Sequence, residues 1–306
     1  MTTVIPTVGR DSLARAVESV LDQEETAIAS TVVVVNDAEA DLAPEPWQRS
    51  ARVQVLRSDR PRSGPAAARN LGAARAKGRF LHFLDDDDWM LPGAFTAFAG
   101  ALDRTPSARW LYGIVQRRSR AGAPLGRFPV EPEGNVLAAL LSGEWLPFQG
   151  SLVERRLFQS LGGFDPAYPV SEDVDLMLRL SLVADVCRVR SPVCVYSEGV
   201  EESATRRDLC MTYLFRAHDA LFDRPGVVGR AVDSATTPHL FGKVLRHGVI
   251  AFRDALRHGR FRAAARRLGV VVALGLRAGR RLVRADLWRA LLSNRAGMRP
   301  AAAPIS

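Results

Sequence analysis

The sequence predicts an α/β protein: a mostly parallel central sheet flanked by helices, with a helical C-terminal extension. Three observations lead there. Strand and helix patterns alternate through the first two-thirds of the chain, one strand pattern ends in four consecutive aspartates, and the charge changes sign beyond residue 205. Alternation at this spacing favours parallel pairing with right-handed crossovers.

Residues 3–5 are a short apolar strand ended by Pro6. Over residues 11–23, Leu13, Ala16, Val17, Val20 and Leu21 recur at helical spacing, with Asp11 or Ser12 available as N-cap. Residues 31–35 are a continuous β-branched run, as expected of a strand covered on both faces. Residues 53–56 form another short strand. An Ala-rich helix spans 65–76, with Pro65 early, where its missing N–H costs least. The strand at 80–84 runs into the aspartates, and a helix follows over 92–102. Further on, the pattern gives a strand at 110–116, an irregular Gly- and Pro-rich stretch at 120–134 and a helix at 135–142. Then come a strand at 149–153, a helix at 154–161 stopped by Gly162-Gly163, a helix at 172–183 and a last strand at 186–196. Beyond Glu201 the pattern is helical, with Arg on most exposed positions, and the tail from Arg299 is expected to fray. Two domains are expected, 1–200 and 201–306.

Asp85, Asp86, Asp87 and Asp88 carry the most information. Carboxylates crowded at the end of a buried strand repel and raise one another's pKa. A divalent cation relieves that repulsion, and hard oxygen ligands suit Mg²⁺ or Mn²⁺. Strand ends are also where open α/β sheets place ligands. A solvated acidic turn is the plain alternative; the strand before it and Trp89, Met90 and Leu91 after it favour a partly buried loop.

Composition narrows the class. Hydrophobic content of 47% and charged content of 25% are those of a globular protein. The first seven residues lack the charged and apolar regions of a signal peptide, and the apolar run 268–276 is too short to span a bilayer. Cys187, Cys194 and Cys210 have neither disulfide parity nor metal spacing, so they read as small buried hydrophobes in a reducing cytoplasm. Residues 206–306 carry 20 Lys and Arg against 6 Asp and Glu, and residues 1–205 carry 22 against 27. Opposite net charges suggest two jobs.

Seven motifs follow one another in order: Val4-Ile5-Pro6-Thr7, the Ser19–Gln23 helix end, Val34-Val35-Asn36-Asp37, the Gly64–Gly72 segment with Arg69-Asn70, Phe83-Leu84 with the aspartates and Trp89, Gly162-Gly163-Phe164-Asp165, and Ser171-Glu172-Asp173. Over residues 2–200 the chain thereby resembles the inverting, nucleotide-sugar-dependent glycosyltransferases of family 2, which have the GT-A fold. The resemblance implies a nucleoside diphosphate sugar donor, uridine-linked in most relatives, and a hydroxyl acceptor that is a glycan, a lipid-linked glycan or a small molecule. It places Pro6, Thr7, Asp37 and Arg69 on the nucleotide sugar. It gives a D-X-D element at Asp85, Asp86 and Asp87. Asp87 is the first choice as ligand to Mn²⁺ or Mg²⁺; Asp85 and Asp86 contact the metal's water shell or the ribose, and Asp88 supports the loop. It makes Asp173 the general base, with Glu172 positioning it or binding acceptor.

Plain structural roles stand beside these. Asp37 can be a turn former in an Asn-Asp pair, Arg69 a surface salt bridge, and Ser171 the N-cap of a helix with acids in its first turn. Two features depart from the family pattern. Gly9 stands where relatives carry an aromatic that stacks on the base, and no His follows Tyr196 near the diphosphate. His82, inside a strand pattern, reads as a core residue. The basic C-terminal region can lie on an anionic membrane surface, at the inner face of the plasma membrane, or pack on the catalytic domain and leave its arginines in water. No nucleic-acid motif accompanies its charge. The remaining alternatives are a nucleotidyltransferase of related fold, although Pro6-Thr7-Val8-Gly9-Arg10 is a poor phosphate loop, and a non-catalytic nucleotide-sugar-binding scaffold.

Overall fold

A computed structural model of the chain describes residues 1–23, 28–119, 121–128, 132–142, 144, 146–198, 204–222, 224–235, 237–279 and 283–292. The expectations for Glu201 and the tail from Arg299 lie outside the described residues. Nine strands are described: β1 (Thr2–Thr7), β2 (Thr31–Asn36), β3 (Val53–Arg57), β4 (Phe80–Phe83), β5 (Trp89–Met90), β6 (Trp110–Ser119), β7 (Pro124–Arg127), β8 (Ser151–Glu154) and β9 (Val186–Glu198). They form one sheet in the order β3-β2-β1-β4-β8-β6-β9-β5, with β7 on β6. Its helices are α1 (Leu13–Leu21), α2 (Pro65–Arg75), α3 (Ala94–Arg104), α4 (Leu137–Leu141), α5 (Arg155–Ser160) and α6 (Glu172–Ser181).

Strands β3, β2, β1 and β4 are mutually parallel, so Thr7, Asn36 and the chain leaving Phe83 emerge at one end of the sheet. Strand β8 then runs antiparallel between β4 and β6. The all-apolar centre of β2 is buried on both faces, as its β-branched run predicts.

Several expectations needed correction. Pro6 does not end β1; the strand continues to Thr7. Val4 C=O accepts from Leu84 N–H and Thr7 C=O from Asp37 N–H, so position 6 faces the β4 side, where pairing stops at Val4. A residue without an N–H loses nothing there. The irregular stretch contains β7, which turns back at Gly122 (φ +87°) to pair with a β6 longer than its apolar pattern. Ser12 stands at the start of α1 without a side-chain capping bond. Of the three cysteines only Cys194 is buried; Cys187 and Cys210 are partly exposed.

Helix α2 reaches the sheet because Gly72 has no side chain: a Cβ there would lie 2.3 Å from Val4 Cγ1 and 3.1 Å from Val35 Cγ2. Gly72→Val is expected to cost about 1–3 kcal/mol by overpacking. Urea denaturation checks this, and a neutral result would show that α2 can ride outward freely.

The C-terminal helices are α7 (Ala204–Leu221), α8 (Val227–Ser234), α9 (Pro238–Arg257), α10 (Phe261–Ala278) and α11 (Ala285–Leu292). They dock on α4 and α6. Ser234 Oγ accepts from Ala138 N–H at 2.8 Å, Lys243 reaches the Ser142 carbonyl at 3.2 Å, and Arg230 donates to the Ser181 carbonyl at 2.9 Å. No described helix is long and apolar enough to cross a membrane.

Candidate active site

The strand ends and two helices bring the singled-out residues together. Arg69, on α2 and buried, donates one guanidinium nitrogen to Asp85 and another to Glu172 at the start of α6. The acid run and the later Glu-Asp pair, far apart in sequence, therefore meet across a single side chain. Burial lowers the Arg69 pKa, but Asp85 and Glu172 outweigh it and hold the group above its ordinary value. A surface salt bridge is excluded for this residue, because its environment is the interior.

The four aspartates divide their work. Asp86 is buried and turned toward β1: its Oδ2 accepts from the Thr7 hydroxyl at 2.6 Å, and Arg10 pairs with its Oδ1. The Thr7 hydroxyl, expected to face a base or ribose, is thus engaged, and it also accepts from Gly9 N–H at 2.9 Å. Asp88 is buried in the other direction, accepting from Ser197 N–H on β9 and from Gln149 Nε2, each at 2.7 Å. The same Gln149 nitrogen lies 3.1 Å from Asp85 Oδ2. Asp87 stays partly exposed, 3.6 Å from Arg10. Carboxylate oxygens of Asp85, Asp87 and Asp88 lie within 4.8 Å of one another. Burial and Asp85 push the pKa of Asp87 up, and the same two causes raise Asp88 well above the carboxylate range. Three hard oxygen donors in mutual repulsion fit Mg²⁺ or Mn²⁺.

Gln149, Ser197, Arg10 and Arg15 were missed in the sequence. Arg15 bonds the Asp87 carbonyl at 3.2 Å and stacks 3.8 Å over the Trp89 ring. Gln149 is held in turn by buried His82, whose Nε2 is 2.8 Å from the Gln149 carbonyl; burial lowers that histidine's pKa to about 4. His82 is the core residue its strand pattern implies. The weak signal for Gln149 is one amide inside the apolar stretch 146–153.

Asp37 is buried at the end of β2, where its Oδ1 accepts from Ser63 Oγ (2.6 Å) and Ser63 N–H (3.0 Å) and its Oδ2 from Gly64 N–H (3.0 Å). Burial raises its pKa, but hydrogen bonds from Ser63, Ser58 and Gly64 prevail and hold it below the usual value.

Asp173 is partly exposed in the first turn of α6, accepting from Val174 N–H at 2.8 Å. Burial and the neighbouring Glu172 raise its pKa to about 7 against the pull of Arg69. Ser171 does not cap the helix: it sits at φ 60° and its hydroxyl reaches the Cys210 carbonyl at 3.3 Å. The acids of this turn are therefore not part of a capping box. Asn70 clasps the Gly162–Asp165 turn from α2, donating to Phe164 C=O at 2.7 Å and accepting from Phe164 N–H at 2.9 Å.

A hollow of about 1200 Å³ lies apart from these acids, lined by α3, residues 182–185 and the start of β9. Ser197, near the other end of β9, touches Asp88, so that hollow and the acid cluster sit at opposite ends of one strand. Side-chain chemistry, not cavity size, locates the candidate site.

Residues 2–123 match the family model described as Glycosyl transferase family 2. The chain is 26% identical over 179 residues to a protein of Haemophilus influenzae named "Uncharacterized glycosyltransferase", covering 58% of this chain and 60% of that one. It is 29% identical over 219 residues to the succinoglycan biosynthesis protein ExoO of Rhizobium meliloti, covering 67% and 61%. The chain thus spans about three-fifths of the length of either relative. Among solved structures, S. aureus TarS 1-349 in complex with UDP-GlcNAc superposes with a TM-score of 0.58 at 16% identity, over 80% of this chain and 71% of that one. That likeness concerns the fold. Through residues 2–123 the chain is thus similar to glycosyl transferase family 2, and its fold is like that of the solved TarS structure.

Proposed function

We propose that the chain is a metal-dependent inverting glycosyltransferase that moves a sugar from a uridine diphosphate sugar to a hydroxyl acceptor in glycan biosynthesis, and that residues 1–200 are its catalytic domain. One observation carries the reading: the Arg69 guanidinium joins Asp85 on the donor side to Glu172 beside Asp173. The ligand of the solved neighbour and the role named for ExoO support the donor and the acceptor class.

In this reading Pro6, Thr7 and Asp37 shape the nucleotide side, and Asp37 accepts from a base N–H. Asp85 contacts the metal's water shell or the ribose, and Asp86, buried and held by Thr7 and Arg10, acts on that side through these two partners. Asp87 and Asp85 hold Mn²⁺ or Mg²⁺, with Asp88 completing the cluster. A divalent cation there supplies electrostatic stabilisation to the leaving diphosphate. Asp173 takes the acceptor hydroxyl proton as that oxygen attacks the anomeric carbon. The bond from that carbon to the diphosphate oxygen breaks on the opposite face, so the configuration inverts. Arg10 provides the fixed positive charge that the missing His would otherwise bring. The chain works in the cytoplasm, at the inner face of the membrane, without nucleic acid.

A thermal-shift series tests the donor and metal together. A uridine diphosphate sugar with Mn²⁺ is expected to raise Tm, because ligand at a hundred times its Kd stabilises the native state by about 2.7 kcal/mol. Asp87→Asn is expected to remove the Mn²⁺-dependent part. No shift with any nucleotide sugar would refute the assignment.

A further inference from the structure

Helix α10 points its most apolar stripe outward. Phe261, Leu268, Val272 and Leu276 are 71%, 45%, 50% and 81% exposed, and their spacing of seven, four and four residues keeps them on one face. A helix that packs on a globular core ordinarily turns such a stripe inward.

Its rotation is fixed by the opposite face. Leu274 and Ala264 are buried there, and so is Arg267, which is held by Asp219 of α7 (2.6 Å) and by the Ala251 carbonyl of α9 (3.1 Å). A buried arginine tied to two other helices cannot swing out without breaking the close Asp219 pair, which would leave that carboxylate only the more distant Arg260 at 3.6 Å. The outward stripe is therefore a built feature of the fold.

Charge says what the stripe meets. Helix α10 contains no Asp or Glu, and the exposed arginines Arg262, Arg266 and Arg277 follow one edge of the stripe. Arginine beside an apolar band suits a surface that is apolar below and anionic at its rim, because the long side chain can lie along the apolar region and lift its charge to phosphate. A second copy of this chain is a poorer partner, since an antiparallel twofold contact would set one arginine row against another and a parallel one would offer the arginines no acidic residue of α10. Length and hydropathy keep the helix on a bilayer and not across it.

We propose that the outer face of α10 is a docking surface for an anionic lipid bilayer. This deepens the membrane placement proposed above, by assigning it to one helix face, and it does not depend on the transfer chemistry. Donor hydrolysis in solution, without vesicles, tests that chemistry separately.

The test is co-sedimentation of the full chain with vesicles of phosphatidylcholine, with and without phosphatidylglycerol. Binding is expected only with phosphatidylglycerol, falling as salt is added. Leu268→Gln with Leu276→Gln, and separately Arg262→Glu with Arg277→Glu, are each expected to weaken it by about tenfold or more. All four positions are exposed, and circular dichroism and Tm confirm that each variant is folded; Leu276→Gln alone serves if the pair is not. Absence of binding to phosphatidylglycerol vesicles, or undiminished binding by the leucine variants, overturns the proposal. So does a wild-type dimer in light scattering that the leucine variants convert to monomer without any vesicle binding.

Discussion

Asp173→Asn is expected to lower kcat by about 10²–10⁴-fold, the usual contribution of a positioned general base. The carboxyl has the attributes the step requires. It stands at the start of α6, partly open to solvent, beside a Glu172 that is already committed to Arg69. Burial and that neighbour bring its pKa to about 7, where a base is both deprotonated at working pH and strong enough to take a proton. The wild-type rate should accordingly rise with pH through about 7 and level off, with kcat/KM as the measurement. Glu172→Gln should act differently. It frees half of the Arg69 fork and shifts the Asp173 pKa downward, moving the rising limb to lower pH. If Asp173→Asn retains more than about a tenth of the wild-type rate, another group is the base.

The same substitution makes a stability prediction of opposite sign. A carboxyl whose folded pKa lies above its unfolded value near 3.9 favours folding most below that lower value, and the advantage is lost as pH rises through about 7. At pH 8 the folded wild type therefore holds a carboxylate it would rather protonate, and Asn does not. Asparagine can still accept the Val174 N–H. Asp173→Asn should be more stable than wild type by about 1–2 kcal/mol at pH 8, discounted from the full shift because the group is partly solvated and shares its repulsion with Glu172. The gain should vanish near pH 4. Paired urea titrations at the two pH values measure it, and a gain independent of pH would mean that ionisation of Asp173 is not its source.

Much of this site was legible because its residues lie at strand ends that local patterns mark. The apolar runs before Thr7, Asp37 and Asp85 fix three exits on one edge of a parallel sheet, and the alternation with helices fixes the direction. Even the helix-end motif has a local cause. Ser19 Oγ accepts from Met90 N–H at 2.9 Å, and Gln23 donates to the Leu91 carbonyl at 3.0 Å, so one residue of α1 and one just past its end clamp the chain that leaves the aspartates. What sequence could not supply is the division of labour among the four acids. That depends on the antiparallel entry of β8 beside β4, which brings Gln149 across to Asp85 and Asp88, and on β9, which brings the Ser197 N–H. No local periodicity encodes a partner more than sixty residues away. Strands β5 and β7 escaped for a related reason: both are short, and each exists only because a longer strand offers it an edge.

Arg69→Met should be the most destabilising single change at the site, at about 3 kcal/mol or somewhat more. Methionine fills similar volume but leaves Asp85 and Glu172 facing each other without their shared cation, and removing one partner of a buried ion pair typically costs about 3–5 kcal/mol. The lower end applies because the Asp85 side chain is 32% exposed while that of Glu172 is 8% exposed. Lysine should rescue little, since a single ammonium cannot fork two carboxylates as a planar guanidinium does. Two further measurements separate charge from packing. Adding Glu172→Gln to Arg69→Met removes one of the stranded charges and should recover part of the loss, giving a coupling energy of about 0.5–3 kcal/mol in a double-mutant cycle. Lowering the pH toward 5 should shrink the deficit of Arg69→Met alone, because a stranded carboxylate can then take a proton. If the deficit is independent of pH and additive with Glu172→Gln, the arginine acts through its packing on Phe164, whose ring lies 5.5 Å from the guanidinium carbon. The electrostatic join between the two halves of the site would then have to be abandoned.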